Sequence, residues 1–137
     1  FIGAPITSVH AGAAQVDQGV CDDLTITLTF ANGGLAAIAY TALGDTAFPK
    51  ELIECYAGGM VITIDNFRSM TVATGGKVTR PRKPIRQDKG HKAQLKAFVD
   101  AVSSGGNAPV DEAELIETSL ATIAVLESLR SGETIHL

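Results

Sequence analysis

The residues that could do chemistry gather first in 44–51, GDTAFPKE, where Asp45, Pro49, Lys50 and Glu51 surround Phe48. Proline fixes the backbone just ahead of Lys50, so a side chain there has a defined direction even in an exposed loop. Lysine offers three donors and a charge to a ligand. The plainer alternative is a surface ion pair of Lys50 with Asp45 or Glu51, worth ~0–1 kcal/mol. His91, in DKGH, is a second candidate binding group. Its alternative is a polar helix N-terminal residue beside a capping Asp88. His10 and His136 lie far off in sequence, and three scattered histidines show no metal-ligand spacing. Cys21 and Cys55 form no CxxC. Cys55 falls mid-strand between Glu54 and Tyr56, without the basic neighbour an activated thiol needs, and reads as a small buried thiol in a reducing cytoplasm.

Known catalytic patterns are missing from the sequence. No GxGxxG follows a strand, and there is no P-loop, HExxH or GxSxG. The paired carboxylates Asp22-Asp23 and Glu112 with Glu114 precede a strand and open a helix, so neither pair reads as a general acid and base. The run 77–89, KVTRPRKPIRQDK, holds six basic residues in thirteen and no aromatic ring. Without stacking partners it does not read as a nucleic-acid site. It reads as a solvated loop, with contact to an anionic ligand or a partner as the alternative.

The elements that must position these residues follow from periodicity. With 137 residues, 45% hydrophobic and 19% charged, the chain suits one globular domain, 1–137. A net charge of −4 argues against nucleic acid and anionic membrane. No apolar run approaches the ~20 residues of a membrane span, and no signal-peptide pattern opens the chain. Residues 24–30, LTITLTF, alternate strictly, and ANGG leads into a returning strand, LAAIAYTA. Gly58-Gly59 and Gly75-Gly76 mark two further hairpins, and PITSVHA reads as an opening strand. The period then changes. Leu95, Phe98, Val99 and Val102 form the stripe of an amphipathic helix. Asp111 and Glu114 read as a capping box for a second helix, whose wide apolar arc (Leu115, Ile116, Leu120, Ile123, Ala124, Leu126, Leu129) should be largely buried. Arg130 and Gly132 end it, and ETIHL adds a short strand. The expected fold is α+β: a mainly antiparallel open sheet, a meander of hairpins, with two C-terminal helices packed on one face. The other face carries Thr25, Thr27 and Thr29, with Thr63 read as a further member. It is either a plain wet sheet or, being flat and uncharged, an interface to a second copy.

In this order the segments GAPITSVHA, DDLTITLTFANGGLAAIAYTALGD, FPKELIECYAGGMVITIDNFR and KGHKAQLKAFVDAVSSGGNAPVDEAELIETSLATIAVLESLRSGETIHL resemble the C-terminal domain of the glucose-fructose oxidoreductase / inositol dehydrogenase (Gfo/Idh/MocA) family. The resemblance covers nearly all of the chain and is sharpest in the ending, helix, glycine turn, capped helix, SLRSGE and short strand. It implies a parent protein with its own N-terminal Rossmann domain binding NAD or NADP, and a C-terminal domain that supplies an open sheet, part of the substrate pocket and a subunit interface. It also implies a catalytic Lys in a Glu-Lys-Pro motif and a His in an Asp-x-x-x-His helix, both ahead of this segment. RKP at 82–84 stands in the wrong place and context. The chain opens on Phe1 rather than Met and reads as a piece of a longer protein, with no catalytic residue, no bound cofactor and no metal of its own. On this reading Phe48, Lys50 and His91 reach a small sugar-like substrate, with Lys50 on hydroxyls or a phosphate and Phe48 on an apolar sugar face. Thr25, Thr27 and Thr29 form a homodimer interface, and neither nucleic acid nor membrane is a partner. The expected function is the substrate-side and oligomerisation domain of an NAD(P)-dependent oxidoreductase acting on a sugar, polyol or sugar-nucleotide hydroxyl. Two other readings stay open: a non-catalytic assembly module that dimerises through the sheet, and a free-standing sugar-binding domain.

Overall fold

A computed structural model describes residues 2–14, 22–80 and 87–137. Its eight strands and two helices are antiparallel and α+β, as the patterning predicts. The strands divide between two four-stranded sheets, and the chain forms two compact units, 1–44 with 110–137, and 45–109. Cys21 and residues 81–86, including RKP at 82–84, lie outside the described residues.

The first unit is built on the order β3-β2-β1-β8. β1 (Ile6–Ala13) and β2 (Asp23–Phe30) pair with Val9 opposite Leu28, His10 opposite Thr27 and Gly12 opposite Thr25. β3 (Leu35–Thr41) pairs on the far side, placing Ala39 and Ala37 beside Thr25 and Thr27. The 31–34 link closes as the Asn-Gly signal predicts. Gly33 adopts φ 79°, and the Asn32 side chain accepts the Gly34 amide at 2.9 Å. Alternation sorts the faces. Ile26 and Leu28 pack toward Val9 under α2 (Glu112–Ser131), while Thr25 and Thr27 stand exposed on the opposite face.

α2 begins where expected. Asp111 Oδ1 accepts the Ala113 amide at 2.8 Å, with Glu112 and Glu114 in the first turn and Arg130 in the last, each suited to the helix dipole. Of the expected arc only Ala124 is buried. Ala121, Ala124 and Ser128 are buried, whereas Leu115, Ile116, Leu120, Ile123 and Leu126 are exposed. A helix that is apolar nearly all round can give a sheet one stripe, and small side chains allow the closest approach. Polar bonds then fix the contact. Ser128 Oγ accepts the buried Ala11 amide at 2.9 Å and donates to the Glu133 carbonyl at 2.6 Å. Glu117 Oε1 accepts the Ile6 amide at 2.5 Å. Through Ser128 α2 is bound to β1 and to the lead-in of β8 (Ile135–His136), which pairs with β1.

The second unit is the meander β4-β5-β6-β7: Leu52–Ala57, Met60–Asp65, Ser69–Thr74 and Lys77–Thr79. Gly58 and Gly59 turn with φ 55° and 73°, and Gly75 and Gly76 with 55° and 72°, the left-handed pair that tight hairpins need. α1 (His91–Ser104) forms where the apolar stripe predicts a helix. Its stripe of Leu95, Phe98, Val99 and Val102, expected against the sheet, is exposed, and none of its residues is buried. Its lead-in, 87–90, is instead hydrogen-bonded to the β5–β6 turn.

Candidate functional site

Phe48 and Lys50 come together in a pocket of about 390 Å³ within the second unit, shared with Glu51, Asn66, Arg68 and Lys89. Three chain segments supply it: the lead-in to β4, the β5–β6 turn and the lead-in to α1. The turn is the structural key. Asn66 and Phe67 adopt φ 48° and 52°, a left-handed conformation that costs a non-glycine residue of order 1–2 kcal/mol. Several bonds hold it there. Gln87 Nε2 donates to both the Asn66 carbonyl and Asn66 Oδ1, each at 2.9 Å. The Asn66 amide donates to the Glu51 carbonyl at 2.7 Å, and the Arg68 amide to the Asp65 carbonyl at 2.9 Å. The Asp88 amide reaches the Phe67 carbonyl at 3.3 Å.

Charge is distributed unequally across this frame. Lys89 pairs with Glu51 Oε1, and its ammonium stands 6.0 Å from the centroid of the Phe67 ring. Glu51 Oε2 is buried without a hydrogen-bond partner among the described residues, so Lys89 is what balances that carboxylate. Lys50 therefore does not pair with Glu51, and it makes no pair with Asp45 either. Asp45 Oδ1 accepts the Ala47 amide at 2.8 Å, closing its own turn. Arg68 likewise has no ion pair among the described residues. Phe48 is 77% exposed, an apolar ring with nothing over it.

His91 opens α1 and is exposed, and it does not line the pocket. Asp88 does not cap α1. Its Oδ1 accepts the amide of Gly90, the N-cap residue, at 2.9 Å. Sequence alone gives no role to Asn66 or Arg68, and offers Gln87 and Lys89 only within the basic run 77–89, whose alternative reading is contact with an anionic ligand or a partner. DNFR carries a usable signal, since asparagine tolerates the left-handed region, but nothing local ties 66–68 to 87–89. A second hollow of about 420 Å³ lies in the first unit, lined by Gly12, Ala13, Leu24, Tyr40 and Asp23. Asp23 Oδ1 already accepts from Thr41 Oγ1 at 2.6 Å and from the Ala42 amide at 3.0 Å, which leaves that hollow mainly apolar.

A dinucleotide needs a parallel strand running through a glycine turn into a helix N-terminus. Among the described residues every strand pairing is antiparallel, and the first turn of α2 is acidic. The described residues do not form that arrangement. No helix among them is long and apolar enough to cross a membrane.

No family profile and no curated protein matches the sequence. Solved structures do. An oxidoreductase from Agrobacterium radiobacter, in complex with NAD+, L-tartaric acid and magnesium, aligns at 22% identity over 96% of this chain and 43% of its own, with a TM-score of 0.75. The aldose-aldose oxidoreductase from Caulobacter crescentus, complexed with glycerol, aligns at 17% over 98% and 42%, TM-score 0.78. UDP-N-acetylglucosamine 3-dehydrogenase from Acidithiobacillus ferrooxidans aligns at 15% over 94% and 42%, TM-score 0.77. The chain has the fold seen in oxidoreductases of the Gfo/Idh/MocA type, as the resemblance implied, and spans well under half the length of these neighbours.

Proposed function

We propose that this chain is the substrate-side domain of an NAD(P)-dependent oxidoreductase that acts on a hydroxyl of a sugar, polyol or sugar nucleotide, with the cofactor held by an N-terminal Rossmann domain of the parent. One observation carries the reading. Over 94–98% of the chain the fold is shared with sugar and sugar-nucleotide oxidoreductases. The exposed leucines and isoleucines of α2 support it, because such a surface suits a part of a larger protein that a neighbouring domain covers. Phe48 and Lys50 are this domain's contribution to substrate binding. His91 keeps a place in the reading only if the parent brings substrate beyond the pocket.

The test is made on the complete parent, with sugars, polyols and sugar nucleotides offered with NAD and NADP. Hydride transfer is expected with at least one. Lys50→Met keeps the stem and removes the charge, and should lower kcat/KM about tenfold with Tm nearly unchanged. A parent that reduces neither cofactor with any of these substrates would overturn the reading.

The assembly role is a second reading, favoured by the open face of the first sheet. Thr25, Thr27 and Thr29 on β2 lie between Gly12, His10 and Ser8 on β1 and Ala39, Ala37 and Leu35 on β3, with no Lys, Arg, Asp or Glu among them. A second copy packed on this face would bury at least ~1,000 Å² in total. Thr27→Lys places a charge at its centre and should shift the protein toward monomer in sedimentation. A wild-type monomer, or a dimer indifferent to the substitution, removes this role.

A further inference from the structure

The pocket carries more positive charge than its own structure uses. Among its lining groups Lys50, Arg68 and Lys89 are cationic and Glu51 is anionic, in a chain whose net charge is −4. Lys89 is committed to Glu51. Lys50 and Arg68 remain unpaired among the described residues, on opposite sides of the pocket in sequence, one ahead of β4 and one after the left-handed turn. The nearby carboxylates of Asp45 and Asp88 accept backbone amides and pair with neither. Two cations that line one pocket without an ion pair among the described residues repel one another, a cost that an anion bound between them relieves. The backbone beneath is well held. The 66–68 turn that presents Arg68 is tied by hydrogen bonds to both other segments of the pocket, so little ordering remains to be done on binding.

The remaining lining limits the ligand further. Phe48 offers an exposed aromatic face, which suits the C–H face of a pyranose. The Asn66 side chain, already engaged by Gln87, adds a polar wall. A volume of about 390 Å³ is at the small end of ligand pockets, monosaccharide-sized rather than dinucleotide-sized.

We infer that the Phe48–Lys50–Arg68 pocket binds the oxyanion of a sugar-sized ligand, a phosphate ester or a sugar carboxylate. Lys50 and Arg68 bracket the anion, and Phe48 lies against the ring. The inference deepens the functional reading above by naming the group that this domain recognises. Its test involves no cofactor and no turnover, so either can fail while the other stands.

The complete protein is titrated, without cofactor, with glucose 6-phosphate, glucuronate, inorganic phosphate and glucose at low ionic strength, followed by amide NMR shifts and calorimetry. At least one anionic sugar should bind about tenfold or more tightly than glucose, shifting the amides of 50–51 and 66–68, and binding should weaken with added salt. The stronger of the two anionic sugars identifies the ester or the acid as the source of the oxyanion. Lys50→Met and Arg68→Gln should each weaken binding about tenfold, and the double variant should reduce it to the level of glucose. Both side chains belong to exposed residues, so folding should persist, and circular dichroism checks that it does. Lys77→Met, an exposed cation outside the pocket, should change nothing. Equal binding of glucose and both anions, binding of inorganic phosphate alone, no binding, or binding that survives the double substitution would each overturn the inference.

Discussion

Every buried residue among those described belongs to the first unit, whereas the second unit holds the pocket with two unpaired cations and a strained turn. In the first, Val9, Ala11, Ala121 and Ala124 close on one another, and Ser128 ties helix to sheet. In the second, regular hairpins carry loops whose order comes from polar bonds between 50–51, 66–68 and 87–89. Similar antiparallel strands serve both. The difference lies in what is packed against them: a helix with a small-residue stripe makes a stability centre, while hydrogen-bonded loop ends leave side chains free to bind.

Substitutions can break this comparison, and the largest effect should fall at Ser128. Ser128→Ala removes the acceptor for a buried amide and the donor to the Glu133 carbonyl. It should cost about 2 kcal/mol or more in urea unfolding, within the range for orphaned buried polar groups. A loss below ~0.5 kcal/mol would mean that the clamp is not what holds α2. Glu117→Ala comes next. It deletes a charged acceptor for the Ile6 amide in a half-buried setting, and a loss of about 1–2 kcal/mol is expected from the same measurement. In the second unit, Gly59→Ala forces a side chain into φ 73° and should cost about 1 kcal/mol. Hydrogen exchange should show that loss in the second unit, with the amides of β1 and β2 unaffected; faster exchange in β1 would show that the units unfold together. The smallest effect is a null one. Calorimetry of this chain with NADH or NADPH should give no binding heat, and micromolar affinity would point to a nucleotide site that the antiparallel strands do not provide.

What could be read in advance was local. Strict alternation in 24–30 sorted threonine from Ile26 and Leu28, and the Gly58-Gly59 and Gly75-Gly76 pairs marked hairpins, because left-handed turns select glycine. The Asn66-Phe67 turn adopts a closely similar left-handed φ pair without glycine, so the local code is weaker there and rests on the asparagine alone. Long-range bonds from Gln87 and Glu51 supply what side-chain chemistry does not. The buried face of α2 was hidden for a related reason. Hydropathy ranks Leu120 and Ile123 above Ala121 and Ala124, but the sheet took the stripe that allows close approach and lets Ser128 reach the Ala11 amide.

By itself the sequence determined strands, turns and helix ends, since each depends on residues within a few positions of one another. Only the tertiary structure decided which charges remain free. Glu51 follows Lys50 directly in the chain but pairs with Lys89, thirty-eight positions on, which leaves Lys50, like Arg68, without an ion pair among the described residues.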